Sequence, residues 1–436
     1  MSETVAHIEK LAFGGNGVCR INGKVCFVPF SCPGDEVRLA VTSDKRSYCV
    51  ARIAELLVPS SFRVAPPCPV FGRCGGCSWQ HIGYEQQLLA KQQILAETLW
   101  RGARVANEYV RPVIPSLSPY GYRSRVQFKL HGSADSLRIG FYRSNSHLVE
   151  DVGSGCAIAL PVINTILAAL RKVLASFPDV SAISQISIDC AEQGSIAVVT
   201  YTGRNSNAAA TFFREWRTEL APLTGVLLNT GRKVLQHVYG DDQLAYTLPV
   251  AIPETHACQL TYLPGGFSQV NRGQNRAMLE IVRQMGCFQG CEQVLDLYCG
   301  NGNFSLPLAG EVAGITGIEE YPDSIAAAEA NRNLNGISNA EFICADAVVG
   351  LKQLADAGRR FDTIILDPPR SGASEAVPEL CRLNPDRIIY ISCDPSTLAR
   401  DCGLLVQGGY HVRECIPVDM FPQTYHLESV TLLQKQ

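Results

Sequence analysis

From Gln274 onward the chain alternates short apolar runs with helix-length segments, and this alternation leaves few folds open. A helix is expected over 275–286, then apolar strands at 293–298, 314–319, 340–344, 363–366 and 387–392, and a closing pair around 411–418 and 429–433. Runs such as Ile388-Ile-Tyr-Ile are apolar at successive positions, as strands are when helices cover both faces of a parallel sheet. Strand, crossover helix and parallel strand in series build an open α/β sheet. Such sheets bind ligands in the crevice at the carboxyl ends of their strands.

Residues 1–57 follow another rule. Apolar and polar positions alternate in short runs, broken by Gly-Gly-Asn-Gly at 14–17, Asn22-Gly23, Pro33-Gly34 and Ser43-Asp44, which describes a small antiparallel barrel. The run Val25-Cys-Phe-Val-Pro-Phe30, followed by Cys32-Pro-Gly-Asp-Glu-Val37, resembles the TRAM domain, an RNA-binding barrel of the OB type. A Pro-rich stretch from Val58 to Pro69 forms a linker, and Tyr84 to Arg101 has helical spacing with Leu88, Leu89, Ile94, Leu95 and Leu99 on one side. Strands are expected at 125–130, 139–142, 195–201 and 225–229. The expected organisation is a barrel over 1–57, a central α+β domain over 58–255 and the α/β domain over 256–436, with the helix at 84–105 a candidate to pack on the last.

At 18% charged and 46% hydrophobic residues with a net charge of -3, the chain is neither disordered nor basic throughout, so any nucleic-acid site must be local. The segment from Arg101 to His147 holds eight Lys/Arg against Glu108 and Asp135, whereas 286–436 holds twenty acidic against ten basic residues. Tyr120, Tyr122, Phe128, Phe141 and Tyr142 interleave with the basic residues, a pattern that suits phosphates with stacked bases; the alternative is a solvated charged face. Met1 to Lys10 lacks an apolar signal core, and no run of about 18 apolar residues occurs, so a soluble, cytoplasmic monomer with no membrane partner is expected.

The strand at 293–298 runs into Tyr298-Cys-Gly-Asn-Gly302, where Gly300 and Gly302 let the backbone approach a ligand, and a helix is expected to start at Ser305. The place of a third Gly in dinucleotide binders holds a larger side chain. Glu319 ends the second strand, where a carboxylate can take both hydroxyls of a ribose. Asp346 follows the third and Asp367 ends the fourth. For each the alternative is a helix N-cap. The fifth strand ends Ser392-Cys-Asp-Pro395, with Asp394 as N-cap and Pro395 at the first helical position, so Cys393 lies where a helix N-terminus favours a thiolate. Glu428 begins the last strand, an exposed position unless function requires otherwise.

Eighteen cysteines in a chain of this kind are not read as a disulfide framework. Cys68, Cys74 and Cys77, with Gly75-Gly76 between the last two and Cys156 as a later fourth ligand, suit zinc or an iron-sulfur cluster, with buried thiols as a third reading.

Five segments, Gly266-Phe-Ser-Gln-Val-Asn271, Asp296-Leu-Tyr-Cys-Gly-Asn-Gly302, Asp367-Pro-Pro-Arg370, Ser392-Cys-Asp-Pro395 and Thr424-Tyr-His-Leu-Glu428, resemble in order and spacing the family of RNA uridine-C5 methyltransferases, over essentially the whole chain. The resemblance implies a Rossmann-like S-adenosylmethionine methyltransferase domain. It implies that Gln269, Tyr298, Asn303, Glu319, Asp346 and Asp367 contact S-adenosylmethionine, that Cys393 is the nucleophile and that Glu428 is the base. Phe267 is a candidate to stack on the uracil. The cysteine spacing resembles the [4Fe-4S] site of one branch of this family, on Cys68, Cys74, Cys77 and Cys156, and with the barrel it implies 23S ribosomal RNA as substrate, transfer RNA being the alternative. Two rivals remain open: an amino-group methyltransferase that uses Asp-Pro-Pro and no thiol, and an iron-sulfur RNA-binding protein without turnover.

Overall fold

The computed structural model describes residues 4–231, 234–250, 257–266 and 268–435. Phe267 lies outside the described residues.

The N-terminal sheet has six strands in the order Thr4–His7, Glu36–Asp44, Tyr48–Val58, Lys24–Val28, Gly17–Ile21, Lys10–Leu11. Its two edges belong to one bent run of chain: Thr4–His7 pairs with Glu36–Asp44, and Lys10–Leu11 pairs with Gly17–Ile21. That continuity brings the two edges together and closes the sheet into a barrel. Ile8, Cys19, Cys26, Val28, Val37 and Leu39 fill its interior.

The central sheet orders seven strands as Gln236–Gly240, Gly225–Asn229, Gly194–Tyr201, Ile183–Ala191, Arg125–His131, Arg138–Tyr142, Val149–Asp151. Helix Pro161–Leu174 lays Ile163, Ile166, Leu167, Leu170 and Leu174 into the same core as Phe128, Ile186 and Val199. A hairpin, Leu244–Leu248 with Cys258–Tyr262, shares one core with Ile196 and Leu227 of this sheet and with Met278 and Val294 of the C-terminal region. The hairpin joins the two halves.

The C-terminal sheet runs Ala340–Cys344, Gly314–Glu319, Gln293–Leu297, Thr363–Leu366, Arg387–Ser392, Glu428–Lys435, Tyr410–Val418. Its first five strands are parallel, as the alternating pattern requires. Glu428–Lys435 is antiparallel to both neighbours and slots between Arg387–Ser392 and Tyr410–Val418. Two expectations need correcting here. The helix after the glycine-rich turn is one turn long, Ser305–Leu308, so its dipole adds little to the ligand site. In the helix Tyr84–Ala103, Leu89 is 59% exposed, while Gln87 and Lys91 are buried.

That helix crosses Pro395–Gln407, and Leu95 and Leu99 share a core with Leu398 and Cys402. The crossing is close because Gly102 has no side chain: a Cβ there would stand 2.7 Å from the Cβ of Ala399. Gly102→Ala must push the helices apart. It should cost about 1–3 kcal/mol in urea unfolding of the whole chain, the usual range for overpacking; an unchanged midpoint would mean that the crossing is loose.

Candidate active site

Register decides the centre of the site. Strands Arg387–Ser392 and Glu428–Lys435 pair Ser392 with Ser429, so the next residue outward on one strand, Cys393, faces the next on the other, Glu428. Neither residue is solvated like a surface group. Glu428 is 7% exposed, which removes the reading of an exposed strand glutamate. Burial, aided by Asp367, lifts its carboxyl well above the usual carboxylate range, against Arg370 and Lys91, which lower it. Burial, with Glu428 and Asp367, pushes the Cys393 thiol up to about 12. This corrects the expectation of a thiolate favoured by the helix N-terminus: the free N–H groups of Ser396 and Thr397 are taken by the carboxylate of Asp394, at 2.8 and 3.1 Å.

Around this pair the other acids divide into two kinds. Asp367, whose N–H bonds the Leu297 carbonyl at 3.3 Å, has its carboxyl pushed up to about 7 by burial and by Asp296. Asp296 is itself raised to about 7 by burial; its Oδ2 accepts from the Ser305 N–H at 3.1 Å and from the Ser305 hydroxyl, while its buried Oδ1 has no partner. Glu319 accepts from the N–H of Gly300 at 3.2 Å and of Tyr321 at 3.0 Å, which ties the second strand end to the glycine-rich turn. Asp346 caps the helix Ala347–Asp356 through Val348 and Val349, so the N-cap reading holds for it in this structure. Asn303 is held by Asn275 and by the Tyr246 hydroxyl, which donates at 3.0 Å.

The turn itself fits a ligand. Tyr298 sits at φ 67°, an unfavourable conformation for a side chain of its size, and both Tyr298 and Cys299 donate backbone N–H groups to the Ile318 carbonyl. At Gly300, φ 55°, nothing stands within 4 Å of where a Cβ would lie. An open cradle beside a buried oxygen with no partner is suited to S-adenosylmethionine.

A cavity of about 580 Å³ extends from Arg370, Phe421, Thr424 and His426 past Gln269, Arg123 and Arg125 to Cys68, Cys74, Cys77 and Cys156. Gln269 lines this cavity together with Arg370 and His426. Its basic wall is partly committed: Arg125 pairs with Asp189 at 2.6 Å and donates to Ser268, whereas Arg370 has no ion-pair partner among the described residues. The aromatic residues of the basic segment also divide. Phe128 and Tyr122 are core residues, which corrects their reading as stacking platforms, and Tyr142 is 40% exposed with the Lys129 ammonium 5.4 Å from its ring centre.

The four cysteines share the far wall of this cavity, and the Cys74 and Cys77 thiols, pushed up to about 11 and 12 chiefly by burial, each feel the other cysteines. Backbone N–H groups point at the sulfurs, Gly76 to Cys74 at 3.4 Å and Ile158 and Ala159 to Cys156, as they do around thiolate ligands. Among the described residues no three His, Cys, Asp or Glu side chains are already gathered as a metal site. The donor set, all sulfur with no carboxylate, suits an iron-sulfur cluster or zinc.

A family model described as tRNA (uracil-5-)-methyltransferase matches residues 83–436, and a TRAM-domain model of tRNA (uracil(54)-C(5))-methyltransferase matches 5–62. The chain belongs to the RNA uracil-C5 methyltransferase family. Members of this family transfer a methyl group from S-adenosylmethionine to C5 of uracil in RNA. A 23S rRNA (uracil(1939)-C(5))-methyltransferase of Haemophilus parainfluenzae is 35% identical, covering 99% of this chain and 96% of the relative. An uncharacterized RNA methyltransferase of Thermosynechococcus vestitus is 33% identical over 98% and 96%. The crystal structure of Pyrococcus abyssi tRNA (uracil-54, C5)-methyltransferase with S-adenosyl-L-homocysteine superposes with a TM-score of 0.74 at 22% identity, over 98% of this chain and 99% of that one.

In this methyltransferase several residues near the site carried no readable signal. Lys91, Asp419, Gln87 and Gln423 are buried and polar, and each meets a partner more than 300 positions away. Tyr84, Gln87 and Lys91 fall at i, i+3 and i+7, which places them on one face of the helix, but polar residues are frequent along this helix and the spacing alone does not mark that face as buried. Because the Cys393 thiol ionises only near 12, its alkylation by iodoacetamide should keep rising with pH through the alkaline range without levelling off. In Glu428→Gln the removed charge should make alkylation several-fold faster in mild alkali, read by mass spectrometry of the peptide. A plateau near neutral pH would contradict this electrostatic account.

Proposed function

We propose that this enzyme methylates C5 of a uridine in 23S ribosomal RNA, with Cys393 as nucleophile and Glu428 as general base. The observation that carries the reading is the strand register that sets Cys393 beside Glu428 next to Asp367. C5 of uracil is a poor nucleophile. Addition of sulfur to C6 turns the ring into an enolate whose C5 can attack an electrophilic methyl group. The carboxylate then removes the C5 proton, and elimination of the thiolate restores the aromatic ring. Because burial, Glu428 and Asp367 keep the resting thiol protonated, its proton must pass to a neighbouring carboxylate as the C–S bond forms, and the bond being made to C6 supplies the driving force for that transfer.

S-adenosylmethionine supplies the methyl group, with Tyr298, Glu319, Asp346, Asp367 and Gln269 as its contacts. Asn303, bonded to Asn275, acts by holding the turn. Arg370 and Arg123 offer cations for the phosphates flanking a uridine that has left its stack, while Arg125 stays paired with Asp189. The 23S reading is supported by relatives of that description at 34–35% identity along nearly the full length of both chains. A [4Fe-4S] cluster on Cys68, Cys74, Cys77 and Cys156, at the far end of the same cavity, would brace the wall against which the RNA lies.

Two measurements test this. RNA fragments substituted with 5-fluorouridine should form a covalent adduct on Cys393 when drawn from 23S rRNA. Cys393→Ala should form none, and Glu428→Gln should lose turnover on natural RNA by about 10²–10⁴-fold. Adducts with tRNA alone would transfer the reading to tRNA, and an adduct on another side chain would end it. Protein purified without oxygen should be brown, with iron and acid-labile sulfide in equal amounts; a colourless, zinc-loaded preparation would exclude the cluster.

A further inference from the structure

Helix Tyr84–Ala103 arises far from the catalytic sheet in sequence, yet it sends three polar side chains into the loop that delivers Glu428. Lys91 is wholly buried, as is its partner Asp419; their charged atoms are 2.5 Å apart, and Lys91 Nζ also donates to the Phe421 carbonyl at 3.1 Å. The Tyr84 hydroxyl donates to the other oxygen of Asp419 at 2.7 Å and accepts from the Ser116 N–H at 2.8 Å. Gln87 clamps Gln423 in both directions at 3.0 Å. Glu428 follows five residues after Gln423 in this loop.

We propose that Lys91 is a positioning residue for the proton-removal step: it holds the loop 419–427 through Asp419 and Phe421 and sets a buried ammonium group, paired with Asp419, beside the loop that ends at Glu428. The inference rests on the reading of Glu428 as the base. The groups that face Glu428 are Asp367 and Arg370 from the end of strand Thr363–Leu366, Cys393 from the end of Arg387–Ser392, and Lys91 from the helix. Of these, Asp367 disfavours the carboxylate, and Arg370 and Lys91 favour it. Arg370 is exposed and open to RNA phosphates, which would offset its charge once substrate binds; Lys91 is sealed from solvent, where burial weakens its hold on a proton and Asp419, then Glu428, strengthen it.

A base must be ionised to act, so turnover rises with pH through the ionisation of Glu428. Removal of a neighbouring cation moves that rise to higher pH. Lys91→Met keeps the length of the side chain and removes the charge. Its kcat against pH should shift upward by about one unit, a tenfold loss on the acid side that is recovered in alkali, with KM for S-adenosylmethionine unchanged. Lys91→Arg should restore the wild-type profile. Adduct formation with 5-fluorouridine RNA, which needs Cys393 but no removal of a proton from C5, should keep its own pH dependence. Where Lys91→Met fails to fold, Lys91→Gln, which keeps a hydrogen-bond donor towards Asp419 and the Phe421 carbonyl while removing the positive charge, takes its place and should show the same upward shift. A kcat profile unmoved in whichever variant folds overturns the inference while leaving Glu428 as base intact. Wild-type turnover in Glu428→Gln overturns both.

Discussion

The meeting of Cys393 and Glu428, on which the proposed chemistry rests, depends on one strand being laid in backwards. Glu428–Lys435 enters the sheet antiparallel to Arg387–Ser392, and only an antiparallel neighbour starts where a parallel strand ends. The outgoing Cys393 and the incoming Glu428 therefore share one end of the sheet, with Asp367 at the end of the next parallel strand. A parallel strand in the same place would carry its first residue to the opposite edge, away from the crevice. Tyr410–Val418 then pairs with the far side of the inserted strand, so Glu428 is buried where an edge residue would be wet.

Burial has an electrostatic consequence that organises the rest of the site. Asp296, Asp367 and Glu428 all hold their protons more tightly than free carboxyl groups, and Cys393 holds its own for the same reason. Asp296 and Asp367, raised to about 7, are poised to exchange protons near neutral pH, whereas Cys393 and Glu428 are kept protonated at rest by burial and by their acidic neighbours. Arg370, Arg123 and Arg125 line the adjoining cavity, where the polyanionic substrate would bring the compensating charge.

Support for the reversed strand comes from the other half of the chain. Breaking a buried ion pair such as Lys91–Asp419 by removing one partner costs about 3–5 kcal/mol, since the remaining charge is left in a medium that cannot solvate it. Backbone bonds from Ser78 and Trp79 to the Gln423 carbonyl, and from Tyr425 to the Ser78 hydroxyl, add neutral ties to the same loop. Trp79 in turn donates to the Gly15 carbonyl of the barrel, 3.0 Å away. Barrel, linker, helix and catalytic loop thus form one chain of contacts.

Much of this was legible from residue order. The five parallel strands were readable because runs such as Ile364-Ile-Leu366 and Ile388-Ile-Tyr-Ile391 are apolar at successive positions, which suits a strand buried on both faces. The glycine-rich turn, Asp367-Pro-Pro and Ser392-Cys-Asp-Pro395 were readable because their constraints are local: backbone angles, caps and strand ends act within a few residues. The low-pKa thiolate at Cys393 was misread, since the helix end that would favour it is occupied by its own cap, Asp394, and the charges that oppose it come from Glu428 and Asp367. Lys91 could not be read either, because a lysine on a helix is solvated unless something elsewhere in the chain buries it, and that something is Asp419, 328 positions on. Sequence by itself determined which groups end each strand. Tertiary structure alone decided which charges face one another, because electrostatic energy depends on distance and burial, and neither is a property of neighbouring residues.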